Sequence, residues 1–132
     1  NEEKYQTQIT SLGIDNQLVM RTEFISNEEV KYYFCAADLI TQPYKTATQS
    51  GVSSLGYFFD KPMLVTKVGG LPEIVQHDKA GYVVDVTPTA IADVIVDFYK
   101  NNRSEEFVAQ VKIDKKMFSW EAMVEALESL AK

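Results

Sequence analysis

The chain has 132 residues, of which 45% are hydrophobic, enough for one domain with a buried core. Its net charge of −6 argues against a general nucleic-acid binder, because such proteins usually present a basic face. A single cysteine, Cys35, excludes an internal disulfide and a cysteine-based zinc cluster. No apolar run approaches the roughly 20 residues that span a bilayer, and the first residues resemble no secretory signal, so we expect a cytoplasmic domain.

The first residues predict a helix followed by a strand. Tyr5, Ile9 and Leu12 fall on one helical face, and Gly13 follows as a stop signal. Residues 18–20, Leu-Val-Met, form a short apolar run that is typical of a buried strand. The chain therefore begins on a helix, and the strand that should precede this helix is absent.

A second helix begins near Ser26. Glu29 follows Ser26 at the spacing of a capping box. The helix carries an apolar stripe at intervals of three and four residues, formed by Val30, Tyr33, Phe34 and Ala37. Residues 39–41 read as the next strand, which Pro43 ends.

The middle of the chain alternates between strand and helix. A polar loop at 45–51 leads into a short helix over 52–59, and the strand Met63–Thr66 follows it. A glycine-rich turn at 68–73 begins another short helix, and a strand is predicted at 82–84. Three apolar helical patterns close the chain, formed by Ile91, Ile95 and Phe98, by Phe107 and Val111, and by Trp120, Met123, Val124 and Leu127.

Alternating strands and helices predict an α/β fold, a Rossmann-like doubly wound parallel sheet covered on both faces. The first strand is central in such sheets, so a chain without it is expected to be a piece of a longer protein or to receive that strand from elsewhere. Ligands bind beyond the carboxyl ends of the strands. This rule selects the loops at 23–26, 43–51 and 67–73.

Four segments in the middle of the chain resemble family 4 of the retaining glycosyltransferases, which have the GT-B fold. They are Ala-Ala-Asp-Leu-Ile-Thr-Gln-Pro-Tyr at 36–44, Lys-Pro-Met-Leu-Val-Thr at 61–66, Val-Gly-Gly-Leu-Pro-Glu-Ile-Val at 68–75 and Asp-Lys-Ala-Gly-Tyr-Val-Val at 78–84. Their order and spacing agree with the family over roughly half the chain, and this combination is specific where each piece alone is weak.

The resemblance implies that residues 1–132 form a single C-terminal domain that binds the nucleotide-diphosphate sugar. It also implies an N-terminal domain of the same enzyme that binds the acceptor and is expected to lie outside this chain. The implied activity is transfer of a hexosyl group to a glycan or lipid-linked acceptor, as in cell-envelope polysaccharide synthesis. No cofactor and no metal are expected, the partners are the donor and the missing domain, and the fragment alone is expected to be inactive.

The predicted donor site lies at the head of the helix that follows the polar loop. A diphosphate needs N–H donors and a positive field, and a helix N-terminus supplies both. Lysines at the strand ends, Lys45 and Lys67, could face the diphosphate, although a solvated lysine is the commoner case. The predicted donor-binding residues are Thr48, Gln49, Ser50, Gly51, Val52, Gly69, Gly70, Glu73 and Lys45. Simple helix capping by Thr48 or Ser50, and a dipole role for Glu73, are the alternatives.

The chain departs from the family at two positions. The family commonly carries two glutamates separated by seven residues, which contact the transferred sugar and the ribose. Alignment from Pro62 places Ala47 and Leu55 at these positions, and neither side chain can accept a hydrogen bond. A non-catalytic binding or scaffolding domain is therefore the alternative function. A dinucleotide-binding domain is a weaker one, because no Gly-x-Gly-x-x-Gly follows a predicted strand.

Three further residues are expected to have no catalytic role. His77, the only histidine, lacks a serine or cysteine partner in a recognisable arrangement and is expected to be a loop residue. Cys35 is expected at the edge of the core. Trp120 is expected to anchor the last helix by packing rather than to stack on a sugar.

Overall fold

The computed structural model describes residues 2–130, which divide after Val30 into two compact units. The first unit contains α1 (Glu2–Leu12), a 3-10 turn at Asp15–Gln17 and the start of α2 (Asn27–Ala36). Gly13 ends α1 with a φ of +65°, a left-handed conformation that glycine adopts without strain. The predicted first helix and its stop signal are confirmed.

The start of α2 has one half of the predicted capping box, the contact of the Glu29 carboxylate with Ser26. The Glu29 carboxylate accepts a hydrogen bond from the Ser26 hydroxyl at 2.9 Å and from the Ser26 amide at 3.4 Å. The amide of Glu29 in turn donates to the Ser26 carbonyl at 3.0 Å. These bonds satisfy donors at the helix end that have no partner within the helix.

The strand predicted at 18–20 is wrong. Leu18 to Met20 follow the 3-10 turn as irregular backbone, and Val19 is 88% exposed. Leu18 itself is extended, with φ −124° and ψ 137°. An extended apolar segment becomes a strand only when a neighbouring strand takes up its N–H and C=O groups, and these residues belong to no ladder.

The second unit is built on a parallel sheet of three strands, β1 (Ile40–Gln42), β2 (Met63–Thr66) and β3 (Gly81–Val84), in the order β1-β2-β3. The bounds predicted for β2 are confirmed, whereas β1 is shifted by one residue at both ends and β3 begins one residue earlier than predicted. The helices of this unit are α3 (Gly51–Phe58), α4 (Leu71–Ile74), α5 (Pro88–Lys100), α6 (Ser104–Asp114) and α7 (Trp120–Leu130), with a 3-10 turn at Lys115–Phe118 before α7.

The central strand β2 is buried on both faces. Met63 and Val65 pack on one face in a cluster with residues of α3, α4 and α6, which are Tyr57, Leu71 and Val111. Leu64 packs on the other face in a cluster with residues of β3, α5 and α6, which are Tyr82, Phe98 and Phe107. Because side chains alternate along a strand, β2 divides the core into these two halves. The α/β fold with helices on both faces is confirmed.

Two predicted packing positions are wrong. Cys35 on α2 is exposed rather than at the edge of the core. Trp120, the first residue of α7, is 76% exposed and therefore does not anchor that helix by packing. Apolar side chains of α7 remain exposed along one side, namely Met123, Val124, Leu127 and Leu130. No helix within residues 2–130 has the length and hydrophobicity needed to cross a membrane.

Phe107 tests the second half of the core. Its ring is fully buried, with ring centroids 5.0 Å from Tyr82 and 6.1 Å from Phe98. We expect Phe107→Ala to lower the free energy of unfolding by about 3–5 kcal/mol, through lost burial and a residual cavity. Phe24 is 91% exposed, so Phe24→Ala should change it by less than about 0.5 kcal/mol. Equal effects in urea unfolding would contradict this core assignment.

Candidate functional site

The candidate site lies where β1 and β2 end. β1 ends at Gln42 and continues through the loop at 43–50 into α3, while β2 ends at Thr66 and continues through the turn at 67–70 into α4. The two strands are parallel neighbours, with Gln42 opposite Val65. Their carboxyl ends therefore lie at the same edge of the sheet, which is the edge where α/β proteins bind ligands. The third predicted loop, 23–26, belongs to the first unit.

The loop and the turn are in direct contact. The Gly70 amide donates a hydrogen bond of 2.9 Å to the Thr48 carbonyl. Gly69 has a φ of +52°, and a Cβ placed on it would lie only 1.9 Å from the Ala47 carbonyl oxygen. The close approach that Gly69 permits is therefore to the backbone of the loop. Any side chain here would separate the two segments.

The head of α3 is capped by its own chain. Ser50 is the N-cap, and its hydroxyl accepts a hydrogen bond of 3.2 Å from the Val52 amide. The Ser53 amide donates to the Ser50 carbonyl at 3.1 Å. Gly51 is the first residue of the helix, so no helical carbonyl lies one turn before its amide. Ser50 thus has the capping role, and the Gly51 amide is the first-turn donor placed to meet a ligand.

A groove of about 680 Å³ runs along the loop and the exposed side of α3. Thr48, Gln49 and Gly51 are exposed there, while Ser50 and Val52 are half-buried. The groove is lined by Tyr44, Thr46, Ala47, Thr48, Gln49, Ser50, Gly51, Val52 and Leu55. Five of the nine predicted donor-binding residues therefore line one groove. Ala47 and Leu55, the positions where the sequence resemblance leads us to expect glutamates, line the same groove.

The other predicted residues do not line this groove. Lys45 is exposed, between the lining residues Tyr44 and Thr46. Glu73 is exposed in the first turn of α4. Lys67 is exposed, and its amide donates to the Val84 carbonyl at 2.7 Å. Ligand contact by these side chains stays a prediction.

His77 has a structural contact. Its Nδ1 accepts a hydrogen bond of 3.0 Å from the Val83 amide, next to a β-bridge between His77 and Gly81. The side chain thus holds the backbone of β3 at Val83, which agrees with the expectation of a loop histidine. Within residues 2–130, no cluster of three or more His, Cys, Asp or Glu side chains could hold a metal ion.

The sequence reasoning missed three buried polar side chains beneath the groove. Gln42, Ser53 and Thr66 are 2%, 1% and 1% exposed. The Gln42 amide donates to the Ser53 hydroxyl at 3.1 Å, and the Thr66 hydroxyl donates to the Tyr44 carbonyl at 2.6 Å. The one feature of the sequence that could have indicated these side chains is Gln42, a polar residue at the end of a predicted buried strand.

Tyr57 joins α3 to α4. Its hydroxyl donates a hydrogen bond to the Ile74 carbonyl at the end of α4. Burial raises the pKa of Tyr57 to about 12, and the negative charge of Asp114 adds to the shift. The hydroxyl therefore stays protonated at neutral pH and remains a donor. This contact adds a second tie between the segments that carry the loop and the turn.

A family model described as "Glycosyl transferases group 1" matches residues 1–101. The chain belongs to this family of glycosyl transferases. No curated protein sequence matches the chain.

Solved structures of glycosyltransferases share the fold. The sucrose-phosphate synthase of Thermosynechococcus elongatus matches 98% of this chain with a TM-score of 0.81 and 17% identity. HepE of Anabaena, in complex with UDP and glucose, matches 96% with a TM-score of 0.76 and 22% identity. HepE in complex with UDP-glucose matches 96% with a TM-score of 0.71 and 20% identity. The present chain spans 33% of the synthase and 36% of HepE. These likenesses establish the α/β fold found in GT-B glycosyltransferases.

The fit of Gly69 against Ala47 can be tested with glycine variants. Gly69→Ala introduces both a strained φ and the contact with the Ala47 carbonyl, whereas Gly13→Ala introduces the strained φ alone, with no atom within 4 Å of the new Cβ. We expect Gly69→Ala to lower the free energy of unfolding by at least about 1 kcal/mol more than Gly13→Ala. Gly51→Ala, also without neighbours within 4 Å and without positive φ, should be close to neutral. Similar losses for Gly69→Ala and Gly13→Ala would show that the loop and turn are not tightly apposed.

Proposed function

We propose that this chain is the C-terminal, donor-binding domain of a retaining glycosyltransferase of family 4. It binds a nucleoside-diphosphate sugar in the groove beside α3, and an N-terminal domain of the same enzyme holds the acceptor. The observation that carries the proposal is the hydrogen bond from the Gly70 amide to the Thr48 carbonyl. This bond joins the glycine-rich turn to the loop that leads into α3, so that both segments form one surface.

The chemistry of this surface suits a diphosphate. The N-terminal end of α3 carries a partial positive charge, and the Gly51 amide lies there without a helical acceptor. Thr48 and Gln49 add an exposed hydroxyl and an exposed amide along the same groove. Backbone and side-chain donors at a helix N-terminus are the usual means of binding phosphate groups. Lys45 would add positive charge at the rim.

The ligands bound to a related protein indicate the class of donor. HepE has been solved with UDP, with UDP and glucose, and with UDP-glucose. We extend this donor class to the present chain, because the fold is shared and because the groove has the polar donors that a pyrophosphate needs. The transferred group in the proposal is a hexosyl unit, and the acceptor is a glycan or a lipid-linked acceptor. We further propose that the enzyme acts in cell-envelope polysaccharide synthesis, in the cytoplasm.

The proposed chemistry uses the protein as a preorganised set of donors. As the glycosidic bond to the diphosphate breaks, negative charge develops on the leaving phosphate, and the Gly51 amide and the positive end of the α3 dipole stabilise this charge. The acceptor hydroxyl forms its bond to the anomeric carbon from the face that the diphosphate leaves and gives its proton to the leaving phosphate, so the sugar retains its configuration. No residue of this chain acts as a nucleophile in the proposal, and neither a cofactor nor a metal ion is invoked.

A second candidate function is a binding domain without catalysis. Ala47 and Leu55 line the groove at the positions where family members commonly carry glutamates. Neither side chain can accept hydrogen bonds from the sugar or from the ribose. Such a domain would keep the diphosphate contacts at α3 and lose the contacts that orient the sugar for transfer.

Thermal protection tests nucleotide binding. In the full-length protein, we expect UDP or GDP to raise the unfolding temperature, because a ligand at 100 times its dissociation constant stabilises the folded state by about 2.7 kcal/mol. NAD at the same concentration should give no shift. Protection by NAD alone would favour a dinucleotide-binding domain and contradict the proposal.

Gln49 is the side chain chosen to test the groove. It is exposed in the loop and lines the groove, so Gln49→Ala should weaken binding of UDP-glucose or GDP-glucose about fivefold to tenfold, the loss of one hydrogen bond to a charged or polar ligand. Gln6→Ala makes the same chemical change on the exposed surface of α1 and serves as the control. Equal affinities of the two variants, measured by titration calorimetry, would remove Gln49 from the site.

Turnover separates the two candidate functions. If the full-length protein is an enzyme, a panel of nucleotide sugars with glycan and lipid-linked acceptors should release nucleoside diphosphate, and the product should keep the anomeric configuration of the donor. If it is a binding domain, the nucleotide should protect against unfolding while no donor is consumed. Inversion of the anomeric configuration would contradict the retaining mechanism.

A further inference from the structure

The loop that carries the proposed donor site is closed at its base by two buried side chains. Gln42 is the last residue of β1, and Ser53 lies in the first turn of α3, 11 residues later. The Gln42 Nε2 donates to the Ser53 Oγ at 3.1 Å, and the Ser53 hydroxyl lies 3.3 Å from the Gln42 Oε1. All of the loop residues predicted to contact the donor lie between these two.

The burial of this pair calls for an explanation. Gln42 and Ser53 are 2% and 1% exposed, next to the apolar cluster that contains Met63. Taking an amide and a hydroxyl out of water costs free energy, and their mutual hydrogen bond recovers only about that cost. Apolar side chains of similar size would pack here at least as well. The pair therefore serves to orient β1 and α3, because its hydrogen bond fixes the position of one element relative to the other.

A second buried hydroxyl holds the beginning of the same loop. The Thr66 Oγ1 lies 2.6 Å from the Tyr44 carbonyl and 3.4 Å from the Gln42 carbonyl. Thr66 is the last residue of β2 and is 1% exposed. The loop is thus held at its base by Gln42 and Ser53, at its start by Thr66, and at its middle by the Gly70 amide.

We propose that Gln42 and Ser53 are positioning residues, with Thr66 in support, that hold the loop at 43–52 in its donor-binding arrangement before the donor arrives. This inference rests on the proposed function. Neither side chain contacts the donor. A loop already held in place loses less conformational entropy on binding, so its amides meet the diphosphate at lower cost.

Two adjacent serines provide a matched comparison in the full-length protein. Ser53 is buried, whereas Ser54 on the same helix is exposed. We expect Ser53→Ala to weaken binding of UDP-glucose or GDP-glucose about tenfold, because the Gln42 amide loses its partner and the loop its anchor. Ser54→Ala removes the same hydroxyl from the surface and should leave the affinity unchanged.

A double variant separates positioning from stability. Replacing both partners of a buried hydrogen bond by apolar groups of similar shape is close to neutral for stability. The variant with both Gln42→Met and Ser53→Ala should therefore recover the unfolding temperature of the wild type. If the pair positions the loop, this variant still binds the nucleotide sugar about tenfold more weakly, and its loop amides at 48–52 exchange hydrogen about tenfold faster than in the wild type.

The outcomes are distinct. Wild-type affinity and wild-type amide exchange in the double variant would overturn the positioning role and leave the proposed function intact. Failure of the wild type to bind either nucleotide sugar would overturn the proposed function. Amide exchange, which needs no ligand, would then still decide whether the pair holds the loop. Should the double variant be unstable, Thr66→Val, which keeps the side-chain shape, provides the same pair of readouts at the start of the loop.

Discussion

The arrangement of the candidate site depends on the contact between two backbone segments. The Gly70 amide donates to the Thr48 carbonyl at 2.9 Å, and Gly69 lies against the Ala47 carbonyl, where no side chain fits. This apposition joins the segment after β1 to the segment after β2. Tyr57 adds a second link between α3 and α4, through its hydrogen bond to the Ile74 carbonyl. A parallel sheet only brings such loops to the same edge, whereas these contacts make them one surface.

The sheet and the loops have different roles in the candidate site. β2 is buried on both faces and provides a rigid base, while the polar groups that could meet a ligand lie on the loop and at the head of α3. Three buried polar side chains, those of Gln42, Ser53 and Thr66, connect the ends of β1 and β2 to the loop and to α3. The backbone around the groove is thus held by three side chains that do not line it. Ser50, whose hydroxyl caps α3, does line the groove.

The parts of the fold that could be predicted are those in which a few neighbouring residues determine the local backbone conformation. The run Met63–Thr66 after Pro62, the glycines before Leu71 and the Ser26–Glu29 spacing each dictate a local conformation, and the structure has the corresponding strand, helix and cap. The segment at 18–20 does not form the predicted strand. An apolar run indicates burial, whereas a strand also needs a neighbouring strand to accept and donate its backbone hydrogen bonds. The Gln42–Ser53 hydrogen bond could not be predicted. It joins two residues that are 11 positions apart and lie on different elements, and the relative orientation of these elements appears only in the folded chain. The exposure of Cys35 likewise depends on what packs against α2 rather than on the helix itself.

The central claim is that the joined loop and turn bind a pyrophosphate group, and amide hydrogen exchange with and without UDP or GDP tests it most directly. We predict that nucleotide slows exchange at 48–52 and at 67–70 together, because both segments belong to one binding surface. Slowing that is confined to other parts of the protein, or that affects one of the two segments without the other, would contradict the claim.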